Sequence, residues 1–127
     1  MTAGEALAGA ALSALGAVEG LSGRYDGPPL HAAFPYATVD AGLETDWSHK
    51  SGSGREVRLT VVLRDEGERP TRLRRLMLAA EQALAALDGP APGWRIVTWR
   101  FVRSRLLAEA KGRWAGVLDY RARMLAD

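Results

Sequence analysis

Two histidines are the side chains best suited to acid–base or metal chemistry near neutral pH. His31 lies among prolines and alanines, and His49 lies in a segment of glycine and serine eighteen positions further along the chain. Neither is accompanied in sequence by the nucleophile, paired acid or ligand cluster that a catalytic site requires. The sequence therefore predicts two exposed histidines, no catalytic residues and a protein that is not an enzyme.

Carboxylates are densest at Asp40, Glu44 and Asp46. In a regular strand Asp40 and Glu44 would point to the same side, where two carboxylates can bind a divalent cation weakly. Acidic side chains at the end of a strand are more commonly solvated, and we favour that interpretation. The sequence predicts no metal site and no cofactor.

The Gly52-Ser53-Gly54 segment has a composition found in phosphate-binding loops. Such a loop joins a strand to a helix that begins with lysine and a hydroxyl residue. Here the glycines precede the segment from Arg55 to Arg64, whose alternation of apolar and polar residues predicts a strand. We therefore expect no phosphate cradle at this position.

A cluster of arginines, Arg72, Arg74 and Arg75, flanks an apolar helical stripe. Arginines in that position usually form a solvated helix face, and we favour this interpretation over contact with acidic protein or phosphates. The formal net charge of the chain is only +2, and its aromatic residues are too scattered to form a base-stacking surface. Nucleic-acid binding is the less favoured alternative.

The chain has 127 residues, of which 47% are hydrophobic, and it has no cysteine. A chain of this length can bury a core of its own, so residues 1–127 are predicted to form a single domain without disulfides. No segment approaches the roughly 20 apolar residues that cross a bilayer, and the N-terminus lacks the basic segment of a signal peptide. We expect a cytoplasmic protein with no membrane partner.

Helical periodicity predicts two helices. The first covers about residues 3 to 18 and begins with a capping box, in which Thr2 and Glu5 satisfy each other's free backbone N–H groups. The second covers about residues 70 to 87 and ends at Gly89, which is followed by a proline.

Alternation of apolar and polar residues, together with β-branched and aromatic content, predicts strands. The four predicted strands are Tyr36 to Leu43, Arg55 to Arg64, Trp94 to Leu107 and Arg113 to Met124. A hairpin turn at Lys111-Gly112 makes the last two strands antiparallel neighbours. Glu19 to Pro35 is predicted to be a long loop, and Glu44 to Gly54 a flexible polar tip.

The order α-β-β-α-β-β predicts an α+β fold, in which an antiparallel-dominated four-stranded sheet carries both helices on one face. The opposite face mixes charged and β-branched residues, namely Arg58, Thr60, Val62, Val117, Arg121 and Arg123. A face of this composition is either solvated or docked on another subunit.

Trp47 is a large aromatic residue within the polar tip. Exposed aromatic side chains are favoured anchors at protein interfaces, which makes Trp47 an interface candidate. The alternative is that its ring folds back onto the edge of its own sheet.

Several motifs, in their order and spacing, resemble the tail-component family of siphophages, prophages and gene transfer agents, which includes tail terminators. They are the Ala/Leu-rich first helix, Phe34-Pro35-Tyr36 before the first predicted strand, Asp46-Trp47-Ser48 with Lys50 and the run from Gly52 to Val57, the leucine-rich second helix, and the closing run from Gly116 to Ala122. The resemblance spans nearly the whole chain, and the high alanine and arginine content is similar to that of gene transfer agents of GC-rich bacteria.

This resemblance implies a structural virion protein with no catalytic residues: a tail terminator whose subunits form a hexameric ring that caps the tail tube and joins it to the head connector. The expected partners are further copies of the chain in a homo-hexamer, the tail tube protein and the head–tail connector or adaptor protein, with DNA only as cargo passing through the ring. The protein is expected to assemble in the cytoplasm and then to become part of a phage-like particle at the head–tail junction.

The segment from Trp47 to Arg55 corresponds to a variable segment between the first two strands of that family, which makes it a candidate contact surface together with arginines of the strands. The candidate interface residues are Trp47, Ser48, His49, Lys50, Arg55, Arg58, Arg121 and Arg123. The strand arginines would either line the bore of the ring or pair with acids of a neighbour. Two alternatives stay open: a head–tail completion or adaptor protein of the same particle and, less favoured, a small nucleic-acid-binding module.

Overall fold

The computed structural model describes residues 1–87 and 90–127. Within these ranges the elements follow in the order α1 (Ala3–Leu15), β1 (Gly23–Asp26), β2 (Tyr36–Asp46), β3 (Gly54–Glu66), α2 (Thr71–Leu84), β4 (Trp94–Ala110) and β5 (Arg113–Ala126). The strands form one sheet in the spatial order β1-β2-β3-β5-β4. β1 is parallel to β2, and the other neighbours are antiparallel. The α+β prediction is confirmed.

The predicted four-stranded sheet and its element order are wrong by one strand. β1 lies within the segment from Glu19 to Pro35 that was expected to be a loop, and it pairs with β2 from Gly23↔Tyr36 to Asp26↔Val39. A strand of four residues that includes a glycine and an aspartate is too short and too polar to show an alternation of its own. Its conformation depends on the hydrogen bonds that β2 supplies.

α1 begins as the sequence predicts and ends earlier. The Thr2 hydroxyl oxygen accepts a hydrogen bond from the Glu5 N–H at 3.0 Å, which is one half of the predicted capping box. The helix stops at Leu15 rather than near residue 18, because the chain tightens at Gly16, whose N–H bonds to the Ser13 carbonyl three residues back. Val18 nevertheless remains buried in the core.

α2 confirms the predicted helix and its apolar face. Pro70 is its N-cap residue, and its core-facing side chains are buried: Leu73, Leu76, Ala80 and Leu84. The helix ends at Leu84, and the predicted terminator Gly89 lies outside the described residues. In the described part of the chain, neither helix has the length and apolar content needed to span a membrane.

The core lies between the two helices and one face of the sheet. The strand residues on this face share the alternation predicted for β3 and β5; they are Ala37, Val39, Val57, Leu59, Val61, Leu63, Leu118, Tyr120, Ala122 and Met124. The register aligns Val61 with Val39 on one side and Leu118 on the other, so the apolar positions form continuous rows. Both helices therefore cover the same face, as the sequence predicts.

Gly116 brings α2 close to this face. A Cβ atom at that position would lie 2.5 Å from the Met77 sulfur. A side chain at this position would force the flexible Met77 side chain to move, so glycine favours the present packing of α2 on β5. Met77 is itself half-buried and packs against the core.

β4 and β5 form the predicted hairpin, with the turn at Lys111-Gly112 and a positive φ of 73° at Gly112. β4 is longer than expected, because it continues from Trp94 to Ala110. Its register with β5 shifts between Ile96 and Thr98, between Phe101 and Arg103, and between Ala108 and Ala110. These bulges interrupt the alternation of side chains along β4.

A buried ion pair connects the end of β3 to the start of α2. Asp65 is only 3% exposed, and it accepts a hydrogen bond from the Arg72 Nε–H at 2.8 Å. Arg72 also donates from Nη2 to the other carboxylate oxygen, and the Glu66 N–H adds a third hydrogen bond. The hydrogen bonds from Arg72 lower the pKa of Asp65 despite its burial. Arg72 is therefore a structural residue although its side chain is about half exposed, and all three arginines of the cluster are exposed, as the favoured interpretation predicts.

Replacing Arg72 tests this connection. Arg72→Ala would leave a buried carboxylate without its cation, and we expect the thermal midpoint to fall by several degrees at pH 7. Because the pKa of Asp65 is lowered in the folded state, its stabilising contribution is present at neutral pH and is lost as the pH falls into the acidic range. The difference between the variant and the wild type should therefore shrink below about pH 4.

Arg74→Ala is the matched control, since Arg74 is exposed on the same helix. It should leave the midpoint unchanged at every pH. Equal losses in the two variants would show that Arg72 acts through helix propensity rather than through Asp65.

Candidate functional site

The sheet face opposite the core, called the open face below, is not covered by either helix. Its residues alternate with the core positions of the central strands: Glu56, Arg58, Thr60, Val62 and Arg64 on β3, and Val117, Asp119, Arg121 and Arg123 on β5. Register with β5 places Thr98, Arg100, Arg103 and Arg105 of β4 on the same face. The open face therefore carries more arginines than carboxylates.

Ion pairs organise the carboxylates of the open face. Glu56 accepts a hydrogen bond from the Arg123 Nε–H at 3.2 Å and lies 3.8 Å from the Arg121 Nε. On the same face, Asp119 accepts one hydrogen bond from the Thr60 hydroxyl and one from the Arg103 Nε–H, both at 2.9 Å. Each of these carboxylates thus contacts two side chains, and the surface keeps an excess of positive charge because its arginines outnumber its carboxylates.

Trp47 lies at one end of the open face and contacts it. Its indole ring is half-buried, with the Arg123 guanidinium carbon 5.5 Å from the ring centroid. The His49 ring meets it edge-on, with centroids 4.6 Å apart. Of the two interpretations left open by the sequence, the structure shows the ring folded back onto its own sheet, with part of its surface still accessible.

The tip is shorter and more ordered than the sequence predicts. β2 continues to Asp46 and β3 begins at Gly54, which limits the connection to residues 47–53. The Ser48 hydroxyl donates to Asp46 Oδ1 at 2.6 Å and accepts from the Gly54 N–H at 3.1 Å. His49 and Gly52 form an isolated antiparallel bridge.

Gly54 is a constrained position rather than a flexible one. It is buried, and a Cβ atom there would collide with the carbonyl oxygen of Trp47. The expectation of a flexible Gly/Ser tip is therefore wrong for this residue, because the glycine permits a close backbone approach that closes the turn.

The structure brings some of the candidate interface residues together and separates one. Arg58, Arg121 and Arg123 share the open face with Trp47 at its end, while Ser48, His49 and the exposed Lys50 belong to the tip. Arg55 lies on the opposite face, because it has the same alternation as Val57 and pairs with Met124.

The groups suited to catalysis or metal binding are dispersed. A bulge between Asp40 and Leu43 breaks the alternation that would have aligned Asp40 with Glu44. Glu44 instead accepts a hydrogen bond from the Gly4 N–H at the start of α1, whereas Asp40 accepts one from the Gly42 N–H. The part of the chain that the structure describes contains no group of three potential metal-ligating side chains, and both histidines are exposed.

β4 is a surface feature that sequence analysis did not identify. It forms one edge of the sheet, and no other strand among the described residues covers its outer side. Four large apolar side chains on it are 41–46% exposed: Val97, Phe101, Val102 and Leu107. The signal was available in the sequence, since arginines and apolar residues are interspersed in this strand without a consistently apolar side.

Tyr120 has an unusual environment at the junction of α2 and β4. Its ring stacks on Trp99 with centroids 4.6 Å apart, and the Phe101 ring meets its edge at 5.5 Å. Its hydroxyl is buried and has no hydrogen-bond partner in the described part of the chain. Burial, followed by the negative charge of Glu81, raises the pKa of Tyr120 to about 12. These side chains and Ala85 line a cavity of about 280 Å³.

Comparisons with known proteins give a consistent result. A family model described as tail completion protein gp17 matches residues 6–125. A chain from the virion of a native gene transfer agent particle has a TM-score of 0.79 and 22% sequence identity, covering 98% of this chain and 98% of that one. The gp17 protein of bacteriophage SPP1 has a TM-score of 0.60 and 16% identity, covering 94% of this chain and 89% of that one. At these identities the two structures show a shared fold. No curated protein matches the sequence.

The buried hydroxyl of Tyr120 leads to a prediction about stability. Burying a hydroxyl without a hydrogen-bond partner costs free energy, so Tyr120→Phe should unfold at the same or a higher temperature than the wild type at pH 7. Above pH 10 the advantage of the variant should grow. A tyrosine of the unfolded chain ionises near pH 10, whereas Tyr120 ionises at about 12 in the folded state. Between these values the wild type should lose about 1.4 kcal/mol of unfolding free energy per pH unit through this group.

Tyr36→Phe is the matched control, because Tyr36 is half-buried and its substitution should not remove this pH dependence. Thermal unfolding from pH 7 to 12 measures both effects. A lower midpoint for Tyr120→Phe at pH 7 would mean that the hydroxyl stabilises the fold.

Proposed function

We propose, from the premise that this chain belongs to the tail completion protein gp17 family, that it acts as a tail terminator, forming a hexameric ring that caps the tail tube and joins it to the head connector. Members of this family are structural components of virions and not enzymes. Family membership confirms the resemblance to phage tail components and the expectation that the protein is not an enzyme. The protein is a structural component of the tail of a phage-like particle.

The ring is proposed on one observation, the unpaired edge of the sheet at β4. This strand has 17 residues, and several of its apolar side chains are exposed in the isolated subunit. Long exposed edges of this kind pair or aggregate unless another surface covers them. A ring supplies that cover, because each subunit of a cyclic assembly contributes two different patches to its neighbours.

The open face and the tip are the proposed contact surfaces for the remaining partners. Arg58, Arg121 and Arg123 give the open face an excess of positive charge, and Trp47 lies at its end. Facing the bore, these arginines would lie beside DNA that passes through as cargo. Facing outward, they would meet the acidic groups of a neighbouring protein.

Assembly state tests the ring. Native mass measurement and electron microscopy of the purified protein, with and without the tail tube protein, should show particles of six copies at least when the tube is present. The reason is that the exposed edge of the sheet at β4 can be covered only by a neighbouring subunit or another protein. A monodisperse monomer that the tube protein neither binds nor assembles would contradict the proposal.

Replacing Trp47 separates its contribution to folding from its contribution to assembly. Because the ring is half-buried and rests on Arg123, Trp47→Ala should lower the thermal midpoint only slightly. We expect assembly on the tail tube to weaken by about tenfold or more, the effect of losing an aromatic interface anchor worth about 1.4 kcal/mol or more.

Leu78→Ala is the matched control, since Leu78 is an apolar residue that is 56% exposed and belongs to α2 rather than to the tip. It should assemble as the wild type does. A large loss of thermal stability for Trp47→Ala, with unchanged assembly per folded molecule, would identify Trp47 as an ordinary packing residue.

A further inference from the structure

The edge of the sheet formed by β4 is basic. Its exposed arginines, called the basic edge below, are Arg95, Arg100, Arg103 and Arg105, and the last three lie where β4 borders the open face. Within the described residues only Arg103 of this set forms an ion pair, with Asp119 at 2.9 Å. Three exposed apolar side chains of β4, namely Val97, Phe101 and Val102, lie between these arginines along the strand, and Leu107 follows the last of them. The edge thus combines unneutralised positive charge with accessible apolar surface.

The opposite edge of the sheet is acidic. β1 covers β2 only as far as Val39, so the later part of β2 and the start of α1 form this edge. The carboxylates there, called the acidic edge below, are Glu5, Asp26, Asp40, Glu44 and Asp46. None of them takes part in an ion pair of the described residues. Three of them, Glu5, Asp26 and Asp40, line a shallow cleft of about 220 Å³.

The strand order keeps the two charged edges apart. β3 and β5 lie between β2 and β4, so the basic and acidic edges are at opposite sides of one sheet. Within a subunit the charges of each edge repel their own neighbours and cannot reach the opposite set. A second copy of the chain can supply the missing partner, because its acidic edge is complementary to the basic edge of the first copy.

We propose that the basic edge of one subunit docks on the acidic edge of the next. This inference rests on the proposed ring and names the contact that builds it. The contact joins two different surfaces, so every subunit offers one edge to each neighbour and the arrangement repeats around a closed ring. Exposed apolar side chains of β4 become buried between the edges, while the arginines pair with the carboxylates.

Two charge-reversal variants test the contact. The first replaces Arg100→Glu and Arg105→Glu on the basic edge, and the second replaces Glu5→Lys and Asp26→Lys on the acidic edge. These four side chains take no part in hydrogen bonds or ion pairs of the described residues, so folding should survive, which circular dichroism and thermal unfolding check.

Each variant by itself should remain monomeric, because the excess charge of one edge is then largely lost. The formal charge of the basic edge falls from +4 to 0 in the first variant, and that of the acidic edge changes from −5 to −1 in the second. An equimolar mixture should recover assembly in rings where the two variants alternate, since the introduced glutamates of one variant then face the introduced lysines of the other, and native edges face native edges. Native mass measurement should show the two variants in equal numbers within each ring. All samples contain the tail tube protein, and higher salt should weaken wild-type assembly.

Arg74→Glu with Arg75→Glu is the matched control, because it makes the same change in net charge on the exposed side of α2. It should assemble as the wild type does. Assembly of either reversal variant by itself, or a mixture of folded variants that stays monomeric, would overturn the proposed contact while leaving the ring intact. A wild type that stays monomeric would instead overturn the ring.

DNA is the other molecule that the basic edge could bind, and this alternative is tested separately. Duplex DNA is added to the wild type and to the basic-edge variant at several salt concentrations. If the variant forms normal rings but loses DNA binding, the basic edge belongs to nucleic acid and the proposed contact is wrong. Unchanged DNA binding together with lost assembly supports the contact between subunits.

Discussion

Burial of a single sheet face beneath both helices is the interaction on which the rest of this structure depends. Leu59 and Leu63 of the central strand β3 are fully buried there, and burial of such a side chain contributes about 1.5–3 kcal/mol. Because α1 and α2 both lie on this face, nothing within the described part of the chain covers the other face or the outer side of β4. The subunit therefore buries its hydrophobic core by itself, but it leaves one sheet face and one sheet edge uncovered.

The two uncovered regions differ in how their charges are satisfied. On the open face, Glu56 contacts two arginines and Asp119 accepts hydrogen bonds from Thr60 and Arg103, so these side chains are held in place by contacts within the subunit. At the two edges, charged side chains have no such contacts among the described residues; examples are Asp26 and Arg100, which lies where β4 borders the open face. The open face is a preorganised surface. At the edges, a second subunit can form ion pairs that the isolated subunit lacks.

The sequence was informative where one physical signal dominated. Alternation along β3 and the helical stripe of α2 predicted both elements and their buried sides, and the same alternation could have shown that Arg55 shares a face with Val57 rather than with Arg58. β1 escaped prediction because four residues acquire strand structure only by pairing with β2. The contact of Trp47 with Arg123 joins two distant parts of the chain through the sheet register, which local patterns do not contain.

The charge distribution bears on when the proposed ring would form. Exposed ion pairs contribute about 0–1 kcal/mol each and are weakened by salt, so a single contact between two edges is a weak dimer. In a closed ring every subunit has two such contacts, and closing the ring adds a contact without a further loss of translational freedom. Binding to the end of a tube also favours the contacts between subunits, because it raises the local concentration of subunits. A chain that buries its core within one subunit and leaves complementary charges on opposite edges is suited to remain dispersed until that end is present.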